Sequence, residues 1–396
     1  MKIMLLTDMP PCGNYTAGIV LNILCSFLIE AGHEVCCFSV QSANLSPLPE
    51  IPEDKLKQMV FEKTTMPREN WGFAIPRFLS SFIGNNMTAL LKLPCIARKA
   101  ARFAKENKAD FIWAVVQGQT TIKIVRPASK HARLPYAVQV WDPPSWWLRN
   151  NRFDRITTYF VMKEFGRALR SSVCCIAASW AMAEEYKKRY NCNSVPVILS
   201  FEPSRIISGK EKDPSQFIIV FSGQMYASDE LHGLISALNL LDWRFGGKQI
   251  ILRIYGQAFH LYFSNKARIE LRGWLPSDEL MDEMAEADLL YCPYWFNPVF
   301  MEEARLSFPS KLTTYLKTSL PVLFHGPEYA SPRIFLEQNQ AAYICGTMEP
   351  AGILETLKSI IADENRNDVG ERGYQAFLKH LTLDKMRESF FEAIPV

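Results

Sequence analysis

Lys2-Ile3-Met4-Leu5-Leu6-Thr7, a loop from Asp8 to Thr16, an apolar-striped stretch over 17–31, Gly32, and then Glu34-Val35-Cys36-Cys37-Phe38-Ser39-Val40: this opening decides the fold. The run over 2–7 is continuously apolar apart from its ends and reads as a strand buried on both faces. Val20, Ile23, Leu24, Phe27 and Leu28 recur at helical spacing, and Gly32 stands where a helix commonly stops. A second strand follows over 34–40. Strand, helix and strand in this order form a crossover unit, which implies a parallel sheet.

The same alternation continues outward. Residues 41–86 are Pro-rich and read as an irregular elaboration. Beyond them we expect a helix over 94–108, strands over 111–116 and 136–141, a helix over 156–170, a strand over 173–177, a helix over 181–190 and a strand over 195–199. The polar stretch 204–215 reads as a linker, after which strands and helices alternate again from Phe217 onward. The expected division is a first domain over 1–203, a second over 204–380, and a terminal helix over 381–396 that packs back on the first. At 396 residues the chain exceeds what one core supports, roughly 250–300 residues.

Composition narrows the function classes. Hydrophobic residues at 48% and charged residues at 21% suit a globular chain rather than a disordered one. The net charge of +3 is uneven: +10 through Ser200 and −7 after it, which suggests an anionic partner for the first half. Cys36-Cys37 and Cys174-Cys175 lie in strand-like runs, where adjacent side chains point to opposite faces and cannot easily bridge. Buried, reduced thiols are the reading, and the absence of Cys-x-x-Cys argues against structural zinc. No apolar stretch of about 18 residues occurs, so the expectation is a cytoplasmic chain, at most peripheral at the inner face of the membrane. Basic residues follow no nucleic-acid-binding module, so no nucleic-acid partner is expected.

In open parallel sheets, ligands gather beyond the carboxyl ends of the strands. The informative stretches are therefore 8–16, 142–147, 223–229, Gly256, 294–308 and 325–328. In the first half, Gly13, Asn14 and Tyr15 lie in a loop of small residues that would let backbone approach a ligand, or simply lead into the helix. Asp142 follows a strand and reads either as a base or as a turn former before Pro143. Trp146 and Trp147 offer indole faces to an acceptor sugar or a membrane interface, or pack on the next helix.

Several runs in the second half carry a family resemblance. They are Phe221-Ser222-Gly223-Gln224-Met225-Tyr226, Leu271-Arg272-Gly273-Trp274-Leu275-Pro276, Ala287-Asp288-Leu289-Leu290 with Pro293-Tyr294, and Phe308-Pro309-Ser310-Lys311-Leu312 with Tyr315-Leu316 and Pro321-Val322-Leu323. In order and spacing the chain resembles the retaining GT-B glycosyltransferases of the glycosyltransferase 4 type. The resemblance implies an α/β fold of two Rossmann-like domains, their parallel sheets facing across a cleft. It implies a nucleotide-sugar donor on the second domain, with Gly223, Gln224, Gly256, Trp274, Tyr294, Ser310, Lys311 and Thr314 as donor-binding positions. It also implies a carbohydrate or lipid-linked glycan acceptor on the first domain, near Gly13, Asn14, Tyr15, Trp146 and Trp147, with Asp142 at the catalytic place, and retention of configuration.

The chemistry is consistent with that picture. A diphosphate leaving group needs compensating charge, and the chain contains no Asp-x-Asp to recruit a metal. No metal or other cofactor is therefore expected, and Lys311 at a helix start is read as the cation, or as a solvated lysine. The chain departs from the family where Thr314 replaces a Glu that holds the ribose, and where Gln224 or Met225 and His232 replace the Arg and Lys that grip the diphosphate. Those departures keep a catalytically silent subunit, binding a partner enzyme or a glycan, as the alternative. A sugar-nucleotide epimerase would need more cleft carboxylates than Asp142. Finally, Arg98, Arg102 and Lys105 share one helix face, with Phe78, Leu79, Phe82 and Ile83 just before it, and read as a contact to an anionic membrane surface.

Overall fold

The opening crossover forms as read. β1 (Lys2–Thr7), the helix Thr16–Glu30 and β2 (Glu34–Ser42) follow one another, and β1 pairs parallel with β2 from Lys2↔Glu34 to Thr7↔Ser39. The computed structural model describes residues 1–13, 16–42, 60–66, 77–203, 213–256 and 268–394. The chain divides into two units, Met1–Ile198 with Met386–Val396, and Leu199–Lys385.

The first sheet adds β3 (Val60–Met66), β4 (Phe111–Val115), β5 (Tyr136–Val140), β6 (Cys175–Ala177) and β7 (Ser194–Pro196), in the order β3-β2-β1-β4-β5-β6-β7. Every pairing in it is parallel. β1, β4 and β5 are buried on both faces, as their continuous apolar runs require. The helix Leu93–Glu106 buries Ile96, Ala100 and Phe103 and leaves Arg98, Arg102 and Lys105 outside, the division its periodicity predicts.

The second sheet comprises β8 (Gln216–Ser222), β9 (Arg244–Phe245), β10 (Lys248–Tyr255), β11 (Ile269–Gly273), β12 (Leu289–Pro293), β13 (Val322–His325) and β14 (Tyr343–Cys345). Its order is β11-β10-β8-β12-β13-β14, with the short β9 antiparallel beside β10. Phe217, Ile219, Phe221, Leu234, Leu238 and Trp243 lie in its core. Both sheets thus run outward from their first strand in both directions, the doubly wound arrangement.

Three local expectations are corrected. Within the stretch read as irregular, β3 pairs parallel with β2 from Cys36↔Val60 to Ser42↔Met66, and the helix Arg77–Leu91 follows. β3 is an edge strand carrying Glu62 and Lys63, so it lacks the apolar run of a central strand. The helix Gln119–Ala132 fills a stretch for which no element was expected, and it holds Pro127 in its interior. The aromatic stretch after β5 is itself a short helix, Pro144–Asn150.

The last helix, Leu383–Ala393, contributes Phe390 to the core of the first unit. Its ring is fully buried and lies edge-on to Trp113 at 5.1 Å, and Trp113 Nε1 donates to Gln139 Oε1 at 2.9 Å. We expect Phe390→Ala to cost roughly 3–5 kcal/mol, the range for deleting a buried phenyl ring. Urea unfolding of the full chain followed by tryptophan fluorescence reads this as a lower midpoint. An unchanged midpoint would mean that the first unit does not depend on this helix.

Candidate functional site

In each sheet the chain switches direction at the first strand, so a crevice opens where neighbouring helices depart to opposite faces. In the second unit the place lies between β8 and β12. These strands pair only at Leu289↔Ile219 and Leu290↔Val220, whereas β8 holds β10 as far as Tyr255↔Ser222. Past Val220 the strands part. The Ser222 N–H, left without a ladder partner on that side, donates to the Tyr315 hydroxyl at 2.8 Å.

Beyond the strand ends lies a row of glycines. Gly223 N–H donates to Tyr255 O at 2.9 Å, and Gly256 N–H donates to Gly273 O at 2.8 Å, extending the ladder with backbone alone. Gly256 has φ +148°, and a Cβ there would stand 2.5 Å from the Gly223 carbonyl oxygen. Only glycine permits that approach. Gly223 and Gln224 are exposed beside it.

Lys311 reaches into this corner from the short helix Ser310–Leu316. Its ammonium donates to the Gln224 carbonyl at 3.1 Å and lies over the Phe221 ring at 4.0 Å and the Tyr226 ring at 4.4 Å. No carboxylate pairs with it among the described residues. Burial pushes this ammonium down to about 7. The walls are aromatic: Tyr226 packs on Trp295 at 4.8 Å, and Trp295 Nε1 donates to Tyr226 O at 2.7 Å. Buried Glu230 fixes the same loop by accepting from Phe296 N–H at 2.8 Å, and desolvation raises its carboxyl above the usual range. Behind these groups, buried His325 meets the Tyr291 hydroxyl at Nδ1 and Thr347 O at Nε2, both at 2.7 Å, and burial pushes it down to about 4.

The other expected donor positions fall differently. Tyr294 is a correction: its ring is fully buried against Phe324 and Trp295, and its hydroxyl donates to Ser307 O at 3.1 Å, so it supports the site from within. Trp274 follows Gly273 and is 72% exposed. Thr314 turns its hydroxyl back onto Ser310 O at 3.3 Å, one turn earlier in its own helix. His232 does the same, with Nδ1 2.7 Å from Ser228 O. Phe221, Tyr226 and Trp295 were not singled out by sequence reading; the signal available was an aromatic at the end of one strand and two more just past it and its neighbour.

In the first unit the corresponding place is the end of β1 beside β4. Asp8 stands there, half-buried, accepting from the Thr121 hydroxyl at 3.1 Å. Burial pushes its carboxyl up to about 7, against hydrogen bonds from Thr121 and the Gln117 backbone. Sequence reading covered this loop but did not single out Asp8. The cue was a lone acid at the end of a buried strand, followed by the apolar run Met9-Pro10-Pro11-Cys12. Gly13 is exposed, while Asn14 and Tyr15 lie outside the described residues. Asp142 is exposed just past β5, and Trp146 is half-buried. Trp147 is a second correction: it is buried and packs edge-on to Phe153 at 5.8 Å, a core residue rather than an open indole face.

No family model and no curated protein matches the sequence. Solved structures do match. Sucrose-phosphate synthase from Thermosynechococcus elongatus is 10% identical over 99% of this chain and 98% of that one, with a TM-score of 0.67. The lipopolysaccharide outer core galactosyltransferase WaaB, in its apo form, is 12% identical over 99% of both chains, with a TM-score of 0.64. Anabaena HepE, solved in complex with UDP-glucose, is 14% identical over 98% of both, with a TM-score of 0.64. At such identities the likeness establishes the fold: this chain has the two Rossmann-like domains of GT-B glycosyltransferases.

The state of Lys311 is measurable through stability. The unfolded chain keeps the proton to about 10.5, whereas the folded chain releases it near 7. Between these values the unfolded state binds more protons, so wild-type stability rises with pH there. Lys311→Met removes the effect. We expect the variant to exceed the wild type by roughly 1–3 kcal/mol at mildly acid pH, and the gap to close as pH rises toward the unfolded value. A pH-independent difference in denaturant midpoints would mean that the rings and carbonyl hold the charge fully.

Proposed function

We propose that this chain transfers a sugar from a nucleotide-sugar donor to a glycan or lipid-linked glycan acceptor, without an obligatory divalent metal and with retention of configuration. One observation carries the reading: a half-buried ammonium, whose partners among the described residues are a carbonyl and two ring faces, stands beside glycine-lined strand ends at the switch point of the second unit. A half-buried cation without a carboxylate among the described residues favours an arriving anion. The fold adds support, since HepE was solved with UDP-glucose and with UDP. In the proposed step the bond from the anomeric carbon to the diphosphate oxygen breaks, and a bond to an acceptor hydroxyl forms on the same face of the sugar, which retains the configuration. The nucleoside diphosphate leaves on Lys311, and the hydroxyl proton passes to a carboxylate of the first unit, with Asp142 assigned that role.

A second reading, a silent subunit, has one observation behind it. Thr314 and His232 each bond a carbonyl four residues earlier in their own helices. Tight binding of a nucleoside diphosphate with no transfer from any donor would favour that reading.

Two measurements test the proposal. In a thermal-shift panel of uridine, guanosine and adenosine diphosphates, one should stabilise the chain with EDTA present, and Lys311→Ala should lose roughly 1–3 kcal/mol of that binding, as for a charge-assisted contact. No shift with any diphosphate, or one that appears only with manganese, would count against the site or its metal independence. Asp142→Asn should keep donor affinity and lower turnover by about 10²-fold or more, the scale of lost proton transfer. Near-normal turnover would return Asp142 to a turn-forming role.

A further inference from the structure

The helix Arg77–Leu91 is built inside out. Among its described residues the buried side chains are polar, Ser81 and Asn85. They belong to a hydrogen-bonded chain in which Lys123 Nζ donates to Gln119 Oε1 at 2.8 Å, Gln119 Nε2 to Asn85 Oδ1 at 2.9 Å, Asn85 Nδ2 to Ser81 Oγ at 3.2 Å and Ser81 Oγ to Asp154 Oδ2 at 3.2 Å. Its outward residues are apolar. Ile83, Met87, Leu90 and Leu91 share one face at spacings of four, three and one, and Leu90 is 74% exposed. A surface helix of a globular protein has the opposite arrangement.

The adjoining helix, Arg155–Ser171, continues this face. Asn86 Nδ2 donates to Thr157 Oγ1 at 3.4 Å where the two helices meet. Ile83 and Leu90 lie three before and four after Asn86, and Ile156 and Phe160 flank Thr157. Ile156, Tyr159 and Phe160 are all exposed, Tyr159 by 60%. Apolar surface gathered this way on one side of a unit marks an interaction site.

Its charge selects the partner. The helices Arg77–Leu91 and Arg155–Ser171 together contain five Lys or Arg and one acid, Glu164, which pairs with Arg126 and Arg167; Asp154, just before the second helix, is buried at its cap. Lys92, Arg152, Arg155 and Lys163 are exposed and lie close to Leu91, Ile156 or Tyr159 in the chain, and Lys163 lies over the Tyr159 ring at 5.7 Å. A second copy of the chain would bring two cationic rims together. An apolar face within a cationic border fits an anionic bilayer, where the apolar side chains enter the boundary between headgroups and acyl chains and the basic ones meet lipid phosphates.

We infer that the first unit docks on anionic membrane surfaces through the outward faces of the helices Arg77–Leu91 and Arg155–Ser171. No helix among the described residues is long and apolar enough to cross a membrane, so the contact is a surface one. The inference goes beyond sugar transfer and does not depend on it.

The test is flotation of the full chain with vesicles of phosphatidylcholine alone and of an equimolar mixture with phosphatidylglycerol. The chain should float with the mixed vesicles at low salt, and weakly at 1 M salt, where charge is screened beyond about 3 Å. The double variant Leu90→Ser, Tyr159→Ser should lose at least about tenfold in partitioning while melting like the wild type, because both positions are exposed. Equal flotation with both vesicle types, no flotation with either, or full retention by the double variant would overturn the inference. So would a dimer in sedimentation velocity that the double variant dissociates while vesicles capture nothing, which would assign the face to a second copy.

Discussion

A parallel strand that leaves its neighbour before it ends must hand its backbone groups to something else, and much of the second unit's site follows from how β8 does so. Val220↔Leu290 is the last rung it shares with β12. Ser222 then donates to the Tyr315 hydroxyl, which draws the helix Ser310–Leu316 against the strand end and brings Lys311 on that helix over Phe221. On the other side β10 keeps pace, and the ladder is completed by Gly223, Gly256 and Gly273, whose lack of side chains leaves backbone exposed. The switch point is thus more than a topological address. It is the place where unpaired backbone demands partners and where the chosen partners carry chemistry.

Lys311 illustrates the balance at this place. Each ring face contributes about 0.5–2 kcal/mol to holding an ammonium, more as water is excluded. Desolvation acts the other way and brings its proton affinity close to neutrality. Arg253 in the same sheet shows the contrast: it bonds Glu270 at 2.9 Å and Glu286 at 2.6 Å, so its charge is spent locally on tying β10 to its neighbours. Of the two cations, only Lys311 lacks a carboxylate among the described residues. It therefore has the most to gain from an anion.

How much of this was legible in the sequence depended on which physical rule each segment obeys. The continuous apolar strands and the helix stripe over 17–31 obey the burial rule, and they formed within about three residues of their reading. β3 does not, because an edge strand buries little, and its Glu62 and Lys63 hide the pattern. The helix Gln119–Ala132 was concealed by Pro127, whose missing N–H argues against a helix interior. Site residues divided in the same way. Glycines and Lys311 stood out by position in runs of recognisable spacing, and their geometry is that of a strand-end corner. Tyr294 and Trp147 stood out by aromaticity, which equally suits a core, and the core is where they lie. Asp8 was missed because its character comes from what surrounds it, the Thr121 hydroxyl and apolar neighbours that are distant in sequence or uninformative one at a time.

The helix Arg77–Leu91 escaped reading for the most instructive reason. A periodicity argument assumes that the apolar stripe faces the protein, and here the stripe faces away. Such a helix still needs attachment, and hydrogen bonds supply it: Asn85 and Gln119 are wholly buried and each meets a partner, so the cost of removing their amides from water is offset. Apolar packing at the same contact would have used Ile83, Met87 and Leu90 and left nothing outside. A polar attachment is directional and fixes the rotation of the helix about its axis, because a turn of one residue would break the link from Gln119 to Asn85 and that from Ser81 to Asp154 together. The network therefore does two things that hydrophobic packing could not do at once. It holds the helix, and it keeps the apolar face pointed out of the first unit.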